Sequence, residues 1–191
     1  MAFACFQDKI FVQAANYMVD PHPILLVRIQ LGRSEMTLNI RRIVTGHDED
    51  GNAVISSDHV MDNIHNLRSG NPQTLLWQTE DTPANVDGDD DPAYQTLEIE
   101  PPERGSIFRI LELQPNKDPY MHRTDTIDYA ICMSGECVMI LDNELEVEMK
   151  AGDVMVQRAT WHGWANRSDK PCQIAFILIG GKEPAKHHHP I

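Results

Sequence analysis

Residues 121–166 read MHRTDTIDYAICMSGECVMILDNELEVEMKAGDVMVQRATWHGWAN, and this stretch decides the fold. It holds four short runs rich in apolar residues, at 127–133, 137–141, 145–149 and 154–156. Between them stand Ser134-Gly135-Glu136, Asp142-Asn143 and Ala151-Gly152-Asp153. Glycine enters positive φ without a steric penalty, and Asp and Asn bond their own backbone, so all three connections carry turn chemistry. Working outward, 107–113 precedes this block, followed by Gln114-Pro115-Asn116, and 174–179 closes it. Many short strands at close spacing, with no long helical period between them, predict an antiparallel barrel or sandwich. A doubly wound α/β domain is disfavoured because the helices that would cross between parallel strands are missing from the pattern.

Upstream, residues 80–103 carry nine acids and neither Lys nor Arg, and include Asp87-Gly88-Asp89-Asp90-Asp91-Pro92. Such a segment buries little apolar surface and is expected to run over the outside. Before it, 24–30 and 36–44 read as strands, 45–53 as a hairpin-like turn, 54–55 and 75–78 as strands, and 62–67 as a short helical turn. Apolar residues at 10, 11, 14, 15 and 18 give 7–18 a helical spacing. Residues 181–191 form a polar tail whose adjacent histidines suit adventitious metal binding better than a built site.

The 191 residues are enough for one domain with its own core, without a metal or disulfide to hold it. Sixteen Lys+Arg against 29 Asp+Glu leave a net charge of −13. A phosphate backbone or anionic leaflet repels such a chain, so neither nucleic acid nor membrane is an expected partner. The four cysteines, at 5, 132, 137 and 172, have no CxxC spacing and read as reduced core thiols. The N-terminus lacks the basic start and unbroken apolar run of a secretory signal, and no 18-residue apolar run exists, so a cytoplasmic location is expected. Asn166-Arg167-Ser168 fits the glycosylation pattern and reads as chance.

Several residues carry chemistry. In extended backbone His122 and Thr124 share a face, and Asp128 joins them if the strand continues unbroken. His162 lies on a separate predicted strand that a hairpin-built barrel brings alongside. Two imidazoles and a carboxylate form a ligand set for Fe(II), Mn(II), Ni(II) or Zn(II). Without a metal, the same trio is a buried acid and base pair in which the carboxylate orients an imidazole. Trp161 and Trp164 read either as core or as the aromatic wall of a ligand pocket. Arg109, inside the run 107–110, needs an anion from protein or substrate if it points inward.

MHRTDTIDYAICMSGE and the later GDVMVQRATWHGWAN resemble the cupin superfamily, specifically small single-domain cupins with HRTxTxDY and GDxxxQRxTxHxWxN signatures. The first motif falls on His122, Thr124, Asp128 and Gly135, and the second on Gly152, Gln157, Ala159, His162 and Asn166. The resemblance is strong over 105–180 and extends weakly to 41–47 and 77–79. It implies an all-β, jelly-roll barrel core at 105–180, with an arm and additional strands at 1–104 packing on it and a tail at 181–191, all one structural domain. Thr124 stands where the pattern has a second histidine and Asp128 where it has a glutamate, which reduces a three-histidine, one-glutamate metal set to His122, Asp128 and His162.

On that resemblance the chain is expected to be a lyase or isomerase-type enzyme, acting by decarboxylation, dehydration or enolisation on a small organic acid or aromatic, polyketide-like metabolite. His122, Asp128 and His162 are the expected catalytic residues, and Arg109, Thr124, Trp161 and Trp164 the substrate-binding ones. A metal-dependent oxygenase and a non-catalytic small-molecule-binding cupin are the alternatives. One divalent metal (Fe, Mn, Ni or Zn) on His122, Asp128 and His162 is set against a metal-free site. A homodimer is also implied, with 24–30 as the exchanged strand.

Overall fold

The alternation written into residues 126–132 appears directly in burial: Thr126, Asp128, Ala130 and Cys132 are buried while Ile127, Tyr129 and Ile131 are exposed. Successive side chains of a strand leave on opposite faces, so one parity meets the core. The structure, a computed structural model, describes residues 38–187 except 68 and 97. The expected helix at 7–18 and strand at 24–30 lie outside the described residues, as does Cys5.

Eleven strands follow in order: β1 Arg41–His47, β2 Ala53–Val60, β3 Ile64–Asn66, β4 Pro72–Thr79, β5 Ser106–Leu113, β6 Thr126–Ser134, β7 Glu136–Ile140, β8 Glu146–Lys150, β9 Val154–Arg158, β10 Gly163–Ala165 and β11 Cys172–Gly180. They form an antiparallel six-stranded sheet ordered β3-β4-β5-β11-β6-β9, a three-stranded sheet ordered β10-β7-β8, and the β1-β2 hairpin. The two larger sheets share one core. Ile107, Leu113, Ala130, Cys132, Ile174, Phe176 and Leu178 come from the first, and Cys137, Met139, Met149 and Trp164 from the second. Two apolar faces closed over a common core make the jelly-roll architecture.

On the outer face of the large sheet, Leu38, Met61, Leu76, Ala93, Ile110 and Ala175 form a second cluster. β4 pairs with β5, so the strands before the acidic bridge continue the main sheet. The bridge itself is mostly exposed, as expected, and pinned at few points. Asp91 receives the Arg42 guanidinium and caps Ala93 N–H at 3.0 Å, and Arg104 bonds Asp81 at 2.5 Å.

Two local expectations change. Residues 64–66 form β3 instead of a helical turn, because Asn63 bonds the carbonyls of Leu75 and Ala93 and accepts from Thr74, aligning the segment along β4. Residues 122–124 do not run straight into β6; His122 instead forms an isolated antiparallel bridge with His162. Gly135 has φ +72°, and a Cβ there would stand 2.7 Å from the Pro171 carbonyl, so the β6-β7 turn requires glycine.

Candidate active site

The bridge between His122 and His162 is a reciprocal pair of main-chain bonds, His122 N–H to the His162 carbonyl at 2.8 Å and the reverse at 2.9 Å. It sets the imidazole centroids 4.4 Å apart at 47°. Gly163 permits this approach, since a Cβ there would meet Met121 Sδ at 2.6 Å. Each ring is tethered at Nδ1, which donates to a carbonyl two residues earlier: His122 to Tyr120 at 3.1 Å and His162 to Thr160 at 2.9 Å. Those bonds fix the neutral tautomer and leave each Nε2 with its lone pair. Tyr120 stacks on His122 at 5.3 Å, and Trp164 meets His162 edge-on at 6.3 Å while packing against Phe176.

The polar side chains that share the core parity come from three strands. Arg109 lies between the core residues Ile107 and Leu111 on β5, half-buried, with no hydrogen bond or ion pair among the described residues. Asp128 on β6 is 4% exposed and directly opposite Gln157 on β9. Thr124 and Thr126, both buried, bond hydroxyl to hydroxyl at 2.7 Å, with Thr126 two residues before Asp128 on the same face of the strand. Trp164 belongs to the core cluster, whereas Trp161 is half-buried and outside it. Of the two tryptophans, Trp164 is therefore the one that meets His162.

Burial dominates the electrostatics. It pushes the His162 imidazole down to about 4, assisted by the neighbouring His122 and by the Arg109 charge, against the opposing bond to Thr160. His122 is lowered first by burial, and Arg109 adds to the effect while Glu100 counters it. Burial raises the Asp128 carboxyl, partly offset by Thr126 and Arg109. Both imidazoles are therefore neutral near pH 7, and Arg109 is the fixed charge that they share.

The expected metal set of His122, Asp128 and His162 does not close. Its donor atoms do not all come within 4.8 Å; among the described residues the group that does so is Cys132, Cys137 and Cys172. The two imidazoles offer two ligands with Nε2 free, but Asp128 faces Gln157 and Thr126 instead of completing a third. Nor does Asp128 orient an imidazole, because main-chain carbonyls already do so. The cysteine trio is buried and unbridged, as expected of core thiols. Burial pushes the Cys132 thiol up to about 12, and Cys172 is raised by its bond to Cys137 and by burial. Three converging sulfurs could hold a soft metal only by losing those protons.

A cavity of about 420 Å³ opens at the start of β6, lined by Glu100, Glu103, Asp125, Thr126 and Glu183 among others. Its four carboxylates outnumber the one lysine in its lining, Lys182, and disfavour an anionic ligand there. Sequence reasoning placed Gln157 in a motif without a role and could not find the Tyr120 and Thr160 carbonyls, since any residue supplies a carbonyl. Asn166 is buried, with its amide donating to the carbonyls of Leu113 and Lys170, which removes it from glycosylation chemistry.

Comparison with known proteins agrees with this architecture. The family described as Cupin domain matches residues 109–180, from Arg109 to the end of β11. The cupin-domain-containing oxidoreductase virC of Hypocrea virens is 38% identical over 74% of this chain and 76% of its own. The cupin-domain-containing oxidoreductase fogC of Aspergillus ruber is 30% identical over 86% and 79%, and a phomopsin biosynthesis cluster protein of Diaporthe leptostromiformis 31% over 73% and 84%. With the barrel, both motifs and relatives aligned over most of their length, the chain belongs to the cupin family.

Proposed function

We propose that this cupin is an enzyme of a biosynthetic cluster that moves a proton on a small organic acid or aromatic, polyketide-like metabolite, in a decarboxylation, dehydration or enolisation. The observation that carries this reading is the bridged pair His122 and His162, each held at Nδ1 with Nε2 open. A neutral Nε2 accepts a proton from one position of the substrate, and the imidazolium so formed returns that same proton at a second position, with the other imidazole, 4.4 Å away between centroids, close enough to relay it. Arg109 holds a substrate carboxylate or enolate oxygen, for which its planar fork is suited. A bound anion there also offsets the guanidinium charge, which adds to the larger effect of burial in holding both imidazoles down, so each becomes a somewhat stronger base when substrate is present.

A metal-dependent oxidoreductase is the second reading, favoured by the names of the relatives virC and fogC and by the two open Nε2 atoms. Iron, manganese, nickel or zinc bound by His122 and His162 would supply redox or Lewis-acid chemistry.

The test is turnover on a panel of organic and aromatic acids, aerobically and then anaerobically with chelator, alongside His162→Ala. We expect activity to survive chelation without oxygen and to fall at least about a hundredfold in a folded His162→Ala protein, the usual weight of a positioned general base. Equal activity in that variant would overturn the assignment of His162, and a strict need for metal and oxygen would transfer the enzyme to the second reading.

A further inference from the structure

Gln157 is 3% exposed, and neither its Oε1 nor its Nε2 has a hydrogen-bond partner. Asp128, its partner in the β6-β9 register, is 4% exposed, and its Oδ1 is likewise unpartnered. Opposed residues of an antiparallel pair place their Cβ atoms about 4.5–5.5 Å apart, close enough for an amide and a carboxylate that served only packing to bond each other. Here three polar atoms stay open at one point of the interior. Buried polar atoms without partners are uncommon and costly, so a cluster of them calls for a partner absent from the chain. Arg109 faces the same interior and is also without a bond among the described residues.

We propose that Arg109, Gln157 and Asp128 form the recognition wall for a hydroxy acid, a small organic acid carrying a hydroxyl beside its carboxylate. This rests on the organic-acid reading above and narrows it. The Arg109 fork and the Gln157 Nε2 are donors, which a carboxylate satisfies by accepting from both. The Gln157 Oε1 and Asp128 Oδ1 are acceptors, and an ionised carboxylate has no proton to give them. A neighbouring hydroxyl supplies that proton and adds no charge. An ammonium would also donate, but it would sit beside the Arg109 cation. Gln157 is thus a specificity-determining residue, separate from the proton-transfer pair.

Isothermal titration calorimetry with mandelate, phenylacetate and phenylglycine tests this, since the three share a phenyl ring and carboxylate and differ in the group beside it. Wild-type protein should bind mandelate at least about tenfold more tightly than either of the others, because a site built for a hydroxyl rejects analogues that lack it. Gln157→Leu should bring mandelate and phenylacetate within about twofold. Its Tm should match or exceed the wild-type value, since two unsatisfied atoms are exchanged for apolar ones. The near-isosteric Gln157→Glu should weaken both acids by placing a carboxylate against theirs.

Equal affinities in the wild type, no mandelate binding, tighter phenylglycine, or an undiminished preference in Gln157→Leu would each overturn the proposal. The binding ratio should persist in His162→Ala. Loss of the proton-transfer reading therefore leaves the ratio intact, whereas loss of the hydroxy-acid reading removes it.

Discussion

His162 shows at one residue how burial sets protonation. Its imidazole is 2% exposed and holds a pKa near 4, while in the unfolded chain it returns to about 6.5. Between those values the unfolded state binds the extra proton, so stability rises with pH across the window and is lost as pH falls from about 6.5 toward 4. The size is bounded at about 3 kcal/mol by the shift itself. Asp128 acts with the opposite sign: its folded pKa lies above the ordinary carboxyl value, so its contribution falls as pH rises through that range. Urea unfolding of chelated protein from pH 4 to 7 should therefore show a shallower slope in His162→Gln than in wild type, and identical slopes would refute the buried neutral imidazole. Ala159 shows a second single-residue effect. Its φ is +50°, in the left-handed region where a Cβ meets the following carbonyl, so the turn after β9 holds an alanine in a conformation that glycine adopts without that clash.

Between elements, Asn166 is the brace. Its amide reaches the Leu113 carbonyl at the end of β5 and the Lys170 carbonyl ahead of β11, and its Oδ1 accepts from the Ser168 amide and hydroxyl. The side chain thus ties the β10-β11 connection to β5. Asn166→Ala leaves the buried Leu113 carbonyl and the part-buried Lys170 carbonyl short of a donor and should cost about 2–3 kcal/mol in urea unfolding, with turnover retained by the folded fraction. A cost below about 0.5 kcal/mol would reduce it to an ordinary surface residue. Strands were legible where the apolar run was long, as in β5, β6 and β11, because period-two burial writes itself locally. β3 and β10, three residues each, were not separable from loop or turn, since their pairing is decided by Asn63 and by the β7 partner.

At the scale of the molecule, the outer face of the large sheet carries a continuous row, Phe108, Ile177, Tyr129 and Val156, in direct cross-strand register. Phe108, Tyr129 and Val156 are exposed, and Ile127, Ile131 and Val154 flank them. Apolar patches of this kind mark association surfaces. We propose that the homodimer implied by the cupin resemblance forms through this face. Light scattering after size exclusion should give about twice the 21.6 kDa chain mass, and Tyr129→Glu with Val156→Glu should return it to one chain mass. A monomeric wild-type protein would remove the dimer. Among the described residues no helix is long and apolar enough to cross a membrane.

The antiparallel barrel, the inward parity of Asp128 and the candidacy of His122 and His162 were all present in the order of residues. Alternation and turn chemistry are local, and two motifs in sequence specify which strands return to the same core. Register and the destination of each side chain were not, because they depend on partners dozens of positions away. Tertiary contact placed His122 against His162 through paired main-chain bonds, gave their orientation to carbonyls that every residue possesses, and set Asp128 opposite Gln157 instead of completing a metal triad. It also turned Arg109 inward, within reach of the Asp128 charge and without a hydrogen bond or ion pair among the described residues.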